Sequence, residues 1–217
     1  PPLPSFGFVC SPLVVGDSLY VQAGASLLKL DRATGEEVWR SLEDTGGMND
    51  SAFSSPILAE DLVGEPQLLV QTRTHLTGVE PDSGELLWEV EVPTFRGMNI
   101  LTPTVHGDSV FISAYGGRGH LFRLEEDGAG YAVEEVWNNR AQGYMTSPVI
   151  FDGHAYLFLR SNRFTCVRLD DGEIRWISPP TGDEYWSLVS QGDRILALSQ
   201  GGTVYLIAAD PESYSVI

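Results

Sequence analysis

Short apolar runs, each only a few residues long, follow one another along the whole chain and are broken by Gly, Asp, Ser and Pro. Leu13-Val14-Val15-Gly16-Asp17-Ser18-Leu19-Tyr20-Val21 predicts strand, Gly-Asp turn, strand. Leu28-Lys29-Leu30-Asp31-Arg32-Ala33-Thr34-Gly35-Glu36-Glu37-Val38-Trp39 predicts a second kind of hairpin. Here an apolar strand ends at an acid, glycine supplies the residue that tolerates positive φ, and the return strand ends in Trp. The same hairpin recurs as Val79-Glu80-Pro81-Asp82-Ser83-Gly84 to Trp88, and as Leu169-Asp170-Asp171-Gly172 to Trp176. A longer version runs from Leu124-Glu125 through Asp127-Gly128-Ala129-Gly130 to Trp137. The turn acids and hydroxyls are of the kind that cap backbone N–H groups rather than do chemistry. No amphipathic helical period intervenes, so the chain is all-β.

Each unit opens at a matching place: Ser11-Pro12, Ser55-Pro56, Thr102-Pro103, Ser147-Pro148 and, without the proline, Ser187-Leu188. The intervals of 44, 47, 45 and 40 residues, with four short strands in each, are the mark of a β-propeller built from four-stranded antiparallel sheets. A β-sandwich would not repeat one hairpin at one interval. The expectation is a single domain over 1–217, with sheets at about 8–44, 45–94, 95–139, 140–180 and 181–217. The last of these ends in a fourth strand, Tyr214-Ser215-Val216-Ile217, that has no Trp. Trp39, Trp88, Trp137 and Trp176 are assigned to the gaps between neighbouring sheets. Each ring there would bury roughly 150–250 Å², worth at most about 4–6 kcal/mol.

A formal charge of −17 argues against nucleic acid or an anionic membrane surface as partner, because both need cationic patches. No run of about twenty apolar residues is present to span a bilayer, and the first residues do not read as a signal peptide. The two cysteines, Cys10 and Cys166, lack metal or redox spacing and read as small buried hydrophobes. His75, His106, His120 and His154 stand far apart without ligand spacing. Gly116-Gly117-Arg118-Gly119 is glycine-rich but has no helix after it, so it reads as a hairpin loop and not a phosphate cradle.

The pattern [LV]-[DE]-x-x-[ST]-G-x-x-x-W, with Ser-Pro opening each unit, resembles the repeat of pyrroloquinoline-quinone (PQQ)-type propellers. Over residues 5–217 the chain is most similar to the PQQ-like repeat proteins of planctomycete-type bacteria, relatives of the lipoprotein of the outer-membrane β-barrel assembly machinery. That resemblance implies exported, often periplasmic or cell-envelope proteins with seven or eight blades. The five units here then correspond to part of a longer propeller, or to a five-bladed ring. An open arc would leave a sheet face uncovered at each end and favour self-association. The alcohol-oxidising branch of the family places adjacent cysteines over the quinone and Glu, Asn and Asp around Ca²⁺; no Cys-Cys pair exists in this chain. The sugar-oxidising branch lacks that pair as well.

The segments joining successive units look alike: Gly47-Met48-Asn49, Gly97-Met98-Asn99 and Gly143-Tyr144-Met145 recur just before Ser/Thr-Pro. Arg96, Arg140, Gln142, Tyr185 and Trp186 lie in the same connections. In a propeller these loops gather on one face around the axis, the usual place for a ligand. Met48, Asn49, Arg96, Met98, Asn99, Arg140, Gln142, Tyr144, Tyr185 and Trp186 are therefore the candidate binding residues. No catalytic set, metal site or cofactor is expected. The expected function is a non-catalytic cell-envelope scaffold recognising a protein, peptide or other polar ligand. The alternatives are a PQQ- and calcium-dependent dehydrogenase completed by further blades, and a carbohydrate-binding propeller resting on Tyr144, Tyr185 and Trp186.

Overall fold

The computed structural model describes residues 6–23, 25–44, 52–128 and 130–217. Its strands form five separate antiparallel sheets in chain order. Sheet 1 holds β1 (Leu13–Val15), β2 (Ser18–Gln22), β3 (Leu27–Asp31) and β4 (Glu37–Ser41), and sheet 2 holds β5 (Ile57–Ala59), β6 (Gln67–Gln71), β7 (His75–Val79) and β8 (Leu86–Glu91). Sheet 3 comprises β9 (Thr104–His106), β10 (Ser109–Ser113), β11 (Gly119–Asp127) and β12 (Gly130–Asn139). Sheet 4 comprises β13 (Val149–Phe151), β14 (His154–Leu159), β15 (Arg163–Arg168) and β16 (Ile174–Ile177). Sheet 5 has β17 (Trp186–Gln191), β18 (Arg194–Ser199) and β19 (Val204–Ala208). Every sheet is a simple meander, each strand pairing with its sequence neighbour.

The expected fourth strand of sheet 5 is instead an isolated bridge between Ile207 and Val216. Two backbone bonds flank it, Ala208 N–H to Ser215 O and Ile217 N–H to Leu206 O. Tyr214, just before the bridge, stacks on Phe164 and leans on Trp176 of sheet 4, so packing between sheets competes with continuing the ladder.

The hairpin turns are built as their residues dictate. Asp31 Oδ1 accepts the backbone N–H groups of Ala33 and Thr34, and Glu80 accepts those of Asp82 and Ser83. This is the local side-chain capping that short acids provide at turns. In the four sheets that have a fourth strand, the ladder slips by one residue directly before the Trp. The shifts fall between Lys29 and Leu30, Gly78 and Val79, Leu121 and Phe122, and Cys166 and Val167. The extra residues are Val38, Leu87, Val136 and Arg175. Strand side chains alternate faces, so a single insertion moves everything after it to the other side. Without the bulge Trp39 would stand opposite Leu28; with it, Trp39 pairs with Lys29 and faces sheet 2.

Three of the four rings then reach the turn of the following sheet. The Trp39 indole N–H donates to Pro81 O (3.3 Å), Trp137 to Leu169 O (2.6 Å) and Trp176 to Asp210 O (2.8 Å). Trp88 differs. Strands β11 and β12 of sheet 3 run long and carry their turn out to Asp127–Gly130, so no glycine turn lies in its path. Trp88 still packs between sheets 2 and 3, but its N–H bonds Gln67 Oε1 of its own sheet (2.6 Å).

Four apolar clusters fill the gaps between sheets 1 and 2, 2 and 3, 3 and 4, and 4 and 5. Among the described residues none joins sheet 5 to sheet 1. The far face of sheet 5 carries Val189, Leu196, Leu198 and Val204 exposed to solvent, whereas the second strands of sheets 2 and 3, β6 and β10, are buried throughout. Among the described residues the five sheets thus form an open arc. At the inner rim, the residues opening each unit tie neighbouring sheets together. Ser11 N–H donates to Ser55 Oγ, Ser54 Oγ to Leu101 O, Thr102 N–H to Ser147 Oγ, and Thr146 Oγ1 to Trp186 O.

Candidate functional site

Antiparallel order puts two sets of loops at each end of the arc. One end carries the Trp hairpin turns and the turns between first and second strands. The other carries the connections between sheets and the turns between second and third strands. The second group is stitched to the first: Phe95 N–H donates to Tyr115 O, Arg160 N–H to Gln142 O, and Gln200 N–H to Tyr185 O. The connections entering sheets 3, 4 and 5 are thus each held by the middle turn of the sheet they enter. The connection after β8 contains one 3₁₀ turn, Phe95–Gly97, in which Arg96 has φ 57°. Left-handed backbone of this kind in a non-glycine residue costs of order 1–3 kcal/mol. Contact with sheet 3 holds it there. A Cβ on Gly116 would come within 2.3 Å of Phe95 Cβ, so only glycine allows the two loops to meet.

This joining assembles a row of rings. Phe95 meets Tyr115 edge-on (5.9 Å between centroids), Tyr115 stacks on Tyr144 (5.0 Å), and Tyr144 leans on Tyr185 (5.8 Å). The row crosses from the connection entering sheet 3 to the one entering sheet 5. Phe95 is 47% exposed and Tyr185 38%. Burial, and then a hydrogen bond with Tyr185, push the Tyr144 hydroxyl above its usual range, so it remains protonated at physiological pH. Arginines flank the row. The Arg96 guanidinium lies over the Phe95 ring and that of Arg160 over Tyr115, both at 4.8 Å. Such stacking leaves the N–H groups at the edge of each guanidinium available to a ligand. Beside Arg160 an open hollow of about 340 Å³ is lined by Arg140, Gln142, Leu159, Arg160 and Ser161.

Of the sequence-derived candidates, Arg96, Arg140, Gln142, Tyr144 and Tyr185 come together here, with half-buried Met98 at the margin. Two do not belong. Asn99 is fully buried and donates to Thr72 O and Arg73 O, so it braces the loop. Trp186 is only 5% exposed and packs among Phe158, Phe164 and Tyr205 between sheets 4 and 5. Met48 and Asn49 lie outside the described residues. Phe95, Tyr115, Arg118 and Arg160 were not foreseen. The turns between second and third strands carry the last three, and strand alternation alone sends those turns to the same end as the connections. Gly116-Gly117-Arg118 is a hairpin loop, as its setting implied, and Gln142 Nε2 donates to Gly117 O within it.

The arginines here are unusual in this chain. Of thirteen Lys and Arg residues, eight make ion pairs, among them Lys29 with Asp82 and Arg168 with Asp171. Arg96, Arg118, Arg140, Arg160 and Arg163 have no carboxylate within ion-pair distance among the described residues. All five stand at the connection end. The acids concentrate at the opposite end, in the Trp hairpin turns and beside Gly16, Gly107, Gly153 and Gly192. The connection end therefore offers guanidinium, phenol and amide groups, and its carboxylates, such as Glu43, Asp44, Asp183 and Glu184, lie in separate connections and not as the cluster that a calcium ion needs. Among the described residues no group of three or more His, Cys, Asp or Glu is placed to hold a metal. This donor set does not fit a quinone–calcium pair. One histidine–acid pair, His120 Nδ1 with Glu135 Oε1 at 3.0 Å, joins a buried imidazole stacked on Phe122 to an exposed carboxylate.

A family model described as outer membrane protein assembly factor BamB, of the PQQ-like repeat type, matches residues 4–178. The chain belongs to that family. The match stops short of sheet 5. No curated protein matches the chain by sequence. Among solved structures it is similar to BamB from Moraxella catarrhalis, with TM-score 0.64 and 18% identity, covering 92% of this chain and 57% of that one. It is also similar to the quinohemoprotein alcohol dehydrogenase from Comamonas testosteroni, with TM-score 0.65 and 14% identity over 97% of this chain and 42% of that one. BBS1N, solved in complex with ARL6DN, shares TM-score 0.64 and 11% identity over 96% of this chain and 67% of that one. At these identities the likeness is one of fold, that of a β-propeller. The chain spans 57% of the BamB structure and 42% of the dehydrogenase. No helix among the described residues is long and apolar enough to cross a membrane.

Proposed function

We propose that this protein is a non-catalytic binding scaffold of the cell envelope, which recognises a protein or peptide through the connection end of its sheets. One observation carries the reading. The Phe95, Tyr115, Tyr144 and Tyr185 row is brought together from three connections and a turn, and these rings stay partly exposed with the Arg96 and Arg160 guanidinium groups packed on them. Aromatic and arginine side chains grouped on a rigid, looped surface are the usual composition of a protein-recognition patch. The family description, an outer membrane protein assembly factor, supports an envelope or periplasmic setting. BBS1N supplies a precedent for a propeller of similar fold solved with a protein partner.

Site-specific photo-crosslinking tests the reading. A benzoylphenylalanine placed at Tyr144 should capture defined proteins or peptides from envelope extracts. The same group at Asp17, on the acidic end, should capture none of them. Equal capture from both positions would remove the connection end as the binding face.

A further inference from the structure

We propose that the ligand of this face is an acidic segment of extended peptide, with its carboxylates held by Arg140 and Arg160 and its apolar side chains laid along the tyrosine row. The inference deepens the proposed function and rests on it. Three features of the face decide the class of ligand.

The first is charge. In a chain of net charge −17, cations without internal carboxylate partners are costly to gather, because nothing nearby offsets their mutual repulsion. Here Arg140 and Arg160 share the wall of one open hollow. Arg96 stands at the far end of the same row, over Phe95. A planar guanidinium with free N–H edges matches a carboxylate in bidentate fashion. The acidic opposite end would repel such a ligand and steer it toward this one.

The second is the state of the rings. A sugar ring needs an open aromatic face to stack upon. Tyr115 is stacked on Tyr144 and overlain by Arg160, so its faces are already used. What Tyr115, at the middle of the row, offers outward is its ring edge and hydroxyl group, suited to peptide side chains and carbonyl groups. This favours peptide over anionic polysaccharide.

The third is direction. Asp183 and Glu184 lie beside Tyr185 at the sheet-5 end of the row, and like charge there would push carboxylates away. The acidic part of the ligand is therefore placed at the sheet-3 and sheet-4 side, and a neutral apolar part over Tyr185.

The test uses the 217-residue chain and four probes at low salt: a ten-residue peptide rich in Asp and Phe, its Asn counterpart, its Lys counterpart, and an alginate oligomer of equal charge. Binding is read by calorimetry and by tyrosine fluorescence. The Asp peptide should bind in preference to the others and weaken steeply with added salt. The R140Q/R160Q variant should lose affinity by roughly tenfold or more with an unchanged melting temperature, since both side chains are exposed. Asp-peptide binding that is indifferent to R140Q/R160Q overturns the proposal. Preference for alginate also overturns it, in favour of a carbohydrate. If the Asn or Lys peptide binds equally well and Tyr144→Ala abolishes that binding, the acidic specificity is overturned while the peptide-binding face stands. If no peptide binds at all, both are overturned.

Discussion

The ring of Trp39 lies against Gly84, in the hairpin turn of the next sheet, so closely that a Cβ on that glycine would stand 2.7 Å from Trp39 Cδ2. Gly84 also has φ 76°, so two separate constraints demand glycine. Gly35 occupies the equivalent turn of sheet 1 with φ 74° and nothing within 4 Å of the same Cβ. Gly35→Ala should therefore cost only the backbone term, about 1 kcal/mol. Gly84→Ala should cost about 2–4 kcal/mol by adding the overlap with the ring. Urea midpoints for the two variants separate these contributions, and equal losses would mean that the Trp does not dock on the turn.

The pairing of Trp88 with Gln67 gives a second expectation. Trp88→Ala empties a site between sheets 2 and 3 and should cost about 3–5 kcal/mol. Trp88→Phe keeps most of the apolar contact but strands the buried Gln67 Oε1, at about 1–3 kcal/mol. Adding Gln67→Leu to Trp88→Phe should recover part of that loss, because the orphaned acceptor is removed with its donor. Strict additivity in the double-variant cycle would contradict the bond.

The turn acid Asp171 predicts a pH dependence. Hydrogen bonding from the Arg168 guanidinium, with help from the Glu173 backbone N–H, lowers its carboxyl from 3.8 to about 2. A carboxylate held below its unfolded value favours the folded state above pH 3.8, and that contribution fades as the pH falls toward 2. Asp171→Asn should accordingly lower the urea midpoint at pH 7 and at pH 5, with the gap from the parent protein narrowing below pH 4. A gap that stayed constant with pH would show that the carboxylate is not the source.

Thiol chemistry checks the gap between sheets 4 and 5. Burial pushes the Cys166 thiol up to about 12, and the residue is fully enclosed. In a Cys10→Ser background the native protein should react with a disulfide reagent at pH 8 at a small fraction of the rate of an exposed cysteine. One equivalent should react promptly in urea. Prompt reaction without denaturant would mean that sheets 4 and 5 part readily.

Local chemistry made much of the fold legible. The turn acids and glycines, with Thr34 and Ser83 in two of the turns, act through bonds spanning two or three residues, so hairpins, their 40–47-residue recurrence and hence the propeller follow from the letters alone. The candidate face was half legible. Connections such as Gly143-Tyr144-Met145 carry a visible common pattern, whereas Tyr115 and Arg160 sit in turns with no shared motif. They reach the site because the middle turns of sheets 3 and 4 grip the connections entering them. Trp186 misled for the opposite reason: one residue after exposed Tyr185, it begins a strand and so points into the gap between sheets.

Sequence order and turn chemistry therefore determined where the chain reverses and how often, since those choices are settled by neighbours along the backbone. Packing between sheets decided the rest. It set the bulge that turns each Trp toward the next sheet, the separate bond of Trp88 beside an overlong hairpin, the uncovered face of sheet 5, and the meeting of Arg140 with Arg160. These depend on residues about twenty or more positions apart whose contact exists only once the sheets stand side by side.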